Sequence, residues 1–196
     1  MRFLLIAAVA VAIAHPCPAQ SWTYWAALDG YFTPDENYGT ATFMADRGAL
    51  HLESRYQYEG QDTVSVWAGY NIHHEHRDAW VITPMISAVF GDTKGIAPGV
   101  EVTAAWQKLD FYTEGEYLFA SDSEDFTYFW SEFAYSPFEW LRTGVAAQRT
   151  RAFETGVDIQ RGLLVGLKFK RVSVTTTMFE PGSDNQTVVV TAAVEF

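Results

Sequence analysis

Apolar and polar positions alternate with a period of two along most of the chain beyond residue 21. Trp22, Tyr24, Ala26 and Leu28 interleave with Thr23, Trp25, Ala27 and Asp29. Leu50, Leu52, Ser54, Tyr56 and Tyr58 share one parity, while His51, Glu53, Arg55 and Gln57 hold the other. Val64, Val66, Ala68, Tyr70 and Ile72 oppose Thr63, Ser65, Trp67, Gly69 and Asn71, and Val100, Val102, Ala104 and Trp106 oppose Glu101, Thr103, Ala105 and Gln107. Successive side chains of an extended strand point to opposite sides, so each stretch predicts a strand with one apolar face. No segment sustains a helical period. Residues 79–90 are apolar on both parities and leave their faces unassigned.

Turn signals divide these strands. One set of connections is expected at 46–48, 73–78, 107–108, 136–138 and 170–171, all tight apart from 73–78. Connections at 33–39, 59–62, 92–98, 120–125, 152–154 and 180–185 form a second set, and most of these carry Asp or Glu. Counting a short strand at 40–45 gives twelve strands; ten to twelve is the range the pattern allows. An even count lets a meander close on itself, with both ends of the chain on the side of the tight turns.

The two ends of the chain carry the sharpest signals. Arg2, the apolar run Phe3–Ala14 and the small residues Cys17 and Ala19 form a secretory signal peptide with a cut expected after Ala19, leaving residues 20–196 as one domain. Cys17 is the only cysteine and would leave with it, so neither disulfides nor thiolate chemistry is expected in the mature chain. At the other end, Val188, Val190, Ala192, Val194 and Phe196 share one parity, and Phe196 is the last residue. This strand resembles the C-terminal targeting strand of bacterial outer-membrane β-barrel proteins. The resemblance implies that Phe196 and its alternating predecessors are read by the barrel-assembly machinery. It further implies that the chain lies in the bacterial outer membrane of a Gram-negative cell as a closed, antiparallel, up-and-down transmembrane β-barrel, an all-β fold.

Alternation alone does not say which face points outward, and a soluble periplasmic barrel with an apolar interior would show the same pattern. The polar parity carries both signs: His51, Glu53, Arg55, Glu101, Asp110, Glu114, Glu116, Glu132, Arg142, Asp158, Lys168 and Glu195. Twelve strands enclose more space than side chains readily fill, so these residues are expected inside, with the apolar parity against lipid. Composition agrees: 16% of residues are aromatic, including seven Trp and ten Tyr, as the two interfacial girdles of a membrane barrel require. The net charge of −11 excludes nucleic acid as a partner.

Candidate chemistry is sparse. Glu53, Arg55, Glu101, Glu114, Glu116, Glu132, Arg142 and Lys168 are read either as a selectivity lining for small solutes in a narrow, porin-like channel or as an ion-pair network that plugs the lumen. His73, His74 and His76 are weak metal candidates in a polar connection; no cofactor is expected. His51 and Ser54 suggest a lipid-acting hydrolase, but alternation puts them on opposite faces, out of reach of one another. A structural or surface-binding barrel with acidic outer loops is the third reading.

Overall fold

The computed structural model describes residues 21–74, 78–122, 124–149 and 159–196. All of its regular structure is strand: β1 (Thr23–Phe32), β2 (Asn37–Arg47), β3 (Leu50–Tyr56), β4 (Thr63–Tyr70), β5 (Ile72–His74), β6 (Asp78–Gly91), β7 (Gly95–Trp106), β8 (Leu109–Ala120), β9 (Phe126–Phe138), β10 (Leu141–Arg149), β11 (Gln160–Phe169), β12 (Val172–Phe179) and β13 (Thr187–Glu195). Neighbours in sequence pair antiparallel, except that β4 and β5 both pair with β6, and β1 pairs with β13 to close the sheet.

β4 and β5 are one stave. Gly69 faces Met85 and Ile72 faces Ile82 in unshifted register. The break between them lies opposite Pro84, which has no N–H to give the ladder. The barrel therefore has twelve staves, as the alternation predicts. At the seam the backbone N–H groups of Tyr24 and Phe196 each donate to the other residue's carbonyl, both at 2.9 Å. Closure leaves no edge with unpaired backbone groups, which a sheet in hydrocarbon requires.

The apolar parity faces outward. Leu50, Leu52, Val64, Val66, Leu163, Val165 and Leu167 are exposed, whereas His51, Glu53, Arg55, Thr63, Ser65 and Trp67 are buried. In the all-apolar stretch within β6, Ile86 and Phe90 point out while Thr83, Met85, Ser87 and Val89 point in. Exposed aromatics gather near both rims, among them Tyr70, Trp106, Phe138, Trp140 and Phe169 at one end and Phe32, Phe90 and Phe119 at the other. Of the connections whose residues are all described, those beside the chain ends are two residues long, at 48–49, 107–108, 139–140 and 170–171. Those at the opposite end are longer, up to the seven residues of 180–186.

Several boundaries differ from the sequence reading. Residues 95–98, expected in a loop, open β7: Ile96 faces Ala88 and Pro98 faces Ile86. The missing N–H of Pro98 is tolerated because the ladder to β8 skips Ala97 and Pro98, pairing Ile96 with Phe119 and then Gly99 with Glu116. Ser136, Pro137 and Phe138, expected as a turn, end β9; a register shift between Leu141 and Thr143 accommodates Pro137. The strand expected at 40–45 extends over Asn37–Arg47, which moves the tight turn from 46–48 to 48–49. Tyr58 does not continue the outward face of β3. Gln57 adopts a left-handed φ of 56°, which breaks the alternation and turns Tyr58 inward. The connection expected at 152–154 and Asp158 lie outside the described residues.

Candidate functional site in the barrel interior

The interior divides into an inner vestibule, a charged middle and a packed outer half. The vestibule is a cavity of about 1220 Å³ that extends from rim residues Gly48, Glu139, Trp140 and Glu195 to Tyr58, Glu114 and Tyr128. Nine of its lining residues are Asp or Glu, against two permanently charged bases, Arg142 and Lys168, so its field attracts cations.

Arg55 is the centre of the middle layer. Its guanidinium is buried and donates to Glu53 at 2.6 and 3.2 Å, to Glu114 and Glu116 at 3.2 Å each, and to Glu101 at 3.4 Å. β3, β7 and β8 supply these five residues by simple alternation: positions 53 and 55, 101, and 114 and 116 all carry lumen parity. The guanidinium also lies over the rings of Tyr58 and Trp67, at 4.4 and 4.7 Å from their centroids. Tyr58 comes from the 57–62 connection rather than from a strand. Its hydroxyl donates to Glu114 and lies 2.7 Å from that of Tyr128. Glu59, from the same connection, is buried, and neither of its carboxylate oxygens has a hydrogen-bond partner among the described residues. Burial pushes the Glu59 carboxyl above the ordinary range, against the pull of Arg55. This connection thus folds its Tyr58 and Glu59 into the lumen.

A second ion cluster lies nearer the inner rim. Arg142 donates from Nε to Asp110 at 2.9 Å, from Nη1 to Glu132 at 2.6 Å, and from Nη2 to Asp110. Trp130 Nε1 donates to the other Glu132 oxygen at 3.1 Å. Lys168 meets Glu195 at 3.5 Å, with both side chains half exposed. Glu53, Arg55, Glu101, Glu114 and Glu116 therefore meet in one knot, Glu132 and Arg142 in another, and Lys168 stands apart.

The described histidines do not gather. His73 and His74 are consecutive in β5 and point to opposite faces: His73 lines the vestibule, and His74 stacks on Trp80 with ring centroids 5.2 Å apart. His76 lies outside the described residues. His51 is buried inside, while Ser54 belongs to the outward parity, so the two form no catalytic pair.

Apolar and aromatic side chains on the polar parity fill much of the remaining lumen, and Tyr31, Tyr128 and Trp130 among them also line the vestibule. Tyr31, Tyr128, Trp130, Leu164, Phe179 and Val189 form one cluster. Trp67, Met85, Val89, Ala97 and Leu118 form the other. Apart from Trp67, which its parity places inside, sequence reasoning did not single out these residues, nor Tyr58, Glu59 or Asp46, as interior. The alternation carried forward from Thr42 along β2 puts Asp46 in the lumen. Nothing in the local sequence marks Tyr58 as inward.

No family model and no curated protein matches the chain. Solved structures do. The KdgM porin in complex with disordered oligogalacturonate aligns with a TM-score of 0.59 at 12% identity, covering 88% of this chain and 98% of that one. The KdgM porin in a second structure gives 0.57 at 11% identity, with the same coverage. The Acinetobacter baumannii outer membrane protein Omp33 gives 0.54 at 11% identity, covering 91% of this chain and 98% of that one. Together with its outward apolar face and closed twelve-stave meander, these alignments show that the chain has the β-barrel fold of outer-membrane porins.

Proposed function

We propose that the chain is an integral outer-membrane protein acting as a narrow, cation-preferring channel, obstructed at mid-barrel by the Arg55 knot and its Tyr58 stopper. The observation that carries this reading is the acidic vestibule, which has room for water and ends on a side chain supplied by a connection rather than by the wall. A stopper on a connection is removable, whereas a wall residue is not. In this reading Glu53, Arg55, Glu101, Glu114 and Glu116 form the constriction, and Glu132, Arg142 and Lys168 line the approach to it. The signal peptide 1–19 directs export, and the row Val188, Val190, Ala192, Val194 and Phe196 serves as the assembly signal. The solutes are small and cationic or neutral. Oligogalacturonate, which the KdgM porin structure contains, is a polyanion and is disfavoured by nine lining carboxylates.

Planar-bilayer recording tests the proposal. The native protein should give small, infrequent steps with a cation-selective reversal potential, and Tyr58→Ala should give larger, longer ones. Silence from both proteins at high loading would overturn the channel reading. The outer-half clusters favour a second reading, a permanently plugged barrel with a structural role, and that same silence is what it expects.

A further inference from the structure

His51 and Glu53 lie two residues apart in β3, so both enter the lumen from one face. Glu101 enters from β7. Each offers one ligand atom, and the three atoms lie within 4.8 Å of one another. All three side chains are buried yet line the vestibule, so an ion entering by the inner mouth reaches them. His51 Nε2 stands 3.5 Å from Glu53 Oε2. That is long for an N–H···O bond. It matches the edge of about 3.4 Å expected between ligands of a tetrahedral ion with bonds of about 2.1 Å.

The other ring nitrogen is already engaged. His51 Nδ1 lies 2.9 Å from Asp46 Oδ1, which also accepts from Asn71 Nδ2 at 2.6 Å. Asn71 Oδ1 in turn accepts from Thr83 at 2.6 Å. In the neutral ring, a carboxylate on Nδ1–H selects the tautomer that leaves Nε2 with a lone pair, the arrangement metal-bound histidines use. In that form the lone pair faces the Glu53 carboxylate, an arrangement that favours a cation between them, either a metal ion or the proton of an imidazolium. The surroundings are also short of positive charge. Glu53, Glu59, Glu101, Glu114 and Glu116 gather around the single guanidinium of Arg55. Both oxygens of Glu59 and Oε1 of Glu116 have no hydrogen-bond partner among the described residues. Buried carboxylates in excess call for a compensating cation or proton.

We propose that His51, Glu53 and Glu101 form a divalent-cation site open to the inner vestibule, with Asp46 as its positioning residue. One imidazole and two carboxylates suit Zn²⁺ and its first-row neighbours better than Ca²⁺ or Mg²⁺, which favour all-oxygen shells. The site stands whether or not the barrel conducts ions, because binding is read without conductance.

The test is a titration of the full refolded barrel with Zn²⁺ in competition with a chromophoric chelator, repeated with Co²⁺ to read the ligand field from its visible absorption. One high-affinity site per barrel is expected. His51→Ala and Glu101→Gln should each weaken it by about 100-fold, and Asp46→Asn by about 10- to 100-fold. Replacing His73, His74 and His76 together by alanine should leave it intact. Heat-modifiable gel mobility reports folding, and if His51→Ala does not fold, Glu101→Gln and Asp46→Asn decide the matter. The proposal is overturned if the native barrel binds no stoichiometric Zn²⁺, as an imidazolium bridging Asp46 and Glu53 would require. It is overturned equally if binding survives the His51 and Glu101 variants or vanishes with the His73, His74 and His76 replacement.

Discussion

Arg55→Met is the most informative single change to the barrel interior. Methionine fills much of the same volume but leaves Glu53, Glu101, Glu114 and Glu116 without the guanidinium that holds them, at contacts of 2.6 to 3.4 Å. Breaking a buried ion pair by removing one partner costs about 3–5 kcal/mol. Four carboxylates lose their common partner here, so a loss of about 5 kcal/mol is expected, a large share of the ~5–15 kcal/mol that stabilises a typical protein. With a denaturant slope of about 2 kcal/mol per molar urea, the unfolding midpoint of the barrel in vesicles should fall by about 2.5 M. The origin of the loss is testable in the same assay. Adding Glu53→Gln and Glu114→Gln removes two of the stranded charges and should restore at least half of the midpoint. Acid, which neutralises carboxylates, should narrow the gap between Arg55→Met and the native barrel. A fall below about 0.5 M, or a triple variant no better than the single one, would refute the claim that the guanidinium holds the middle layer together.

Other expectations follow from particular residues. Val165 and Leu164 are neighbours in β11 on opposite faces, one exposed and one buried. Val165→Arg should cost about 2–4 kcal/mol in a bilayer because it puts a charge in hydrocarbon, and Leu164→Ala about 2–5 kcal/mol because it opens a cavity; paired urea titrations separate the two. Gly91 has a φ of +118°, and a Cβ there would overlap the carbonyl oxygen of Asp62, so Gly91→Ala should lower the urea midpoint and loosen the adjoining 57–62 connection. Burial raises the Glu59 carboxyl above its ordinary 4.5. The folded state then holds the extra proton, so stability is fullest below 4.5 and falls as pH rises through the raised value. Glu59→Gln should therefore gain on the native barrel at alkaline pH and lose that advantage in acid, as stability curves at both pH values would show. Arg142 bridges Asp110 and Glu132 on the vestibule wall. Arg142→Gln should shift the reversal potential further toward cations, and Glu132→Gln should shift it back.

Strands and faces were legible because a barrel wall with an apolar outside and a polar lumen enforces period two along each stave. The alternation alone assigns faces to Leu50 to Arg55, Val64 to Trp67 and the row from Val188 to Phe196. Two of the misjudged boundaries share a cause. Pro98 and Pro137 signal breaks locally, yet each sits where a ladder skips a bond or shifts register. Residues 79–90 were ambiguous because their inward positions include Met85 and Val89, which pack with Trp67 and Leu118 rather than facing water. The meeting of Arg55 with Glu101, Glu114 and Glu116 spans 46 to 61 residues and depends on barrel closure, which no local pattern encodes. The inward turn of Tyr58 depends on one left-handed residue, Gln57, whose side chain gives no warning of it.

The central claim is that hydrocarbon bathes the apolar parity while the polar parity faces the lumen. Spin labels placed one at a time from residue 172 to 178 in β12, with Cys17 removed, read this directly through collision with membrane-soluble oxygen and a water-soluble nickel complex. Oxygen accessibility should peak at Val172, Val174, Thr176 and Met178 and fall at Ser173, Thr175 and Thr177. The opposite phase, or no period of two, would contradict the account.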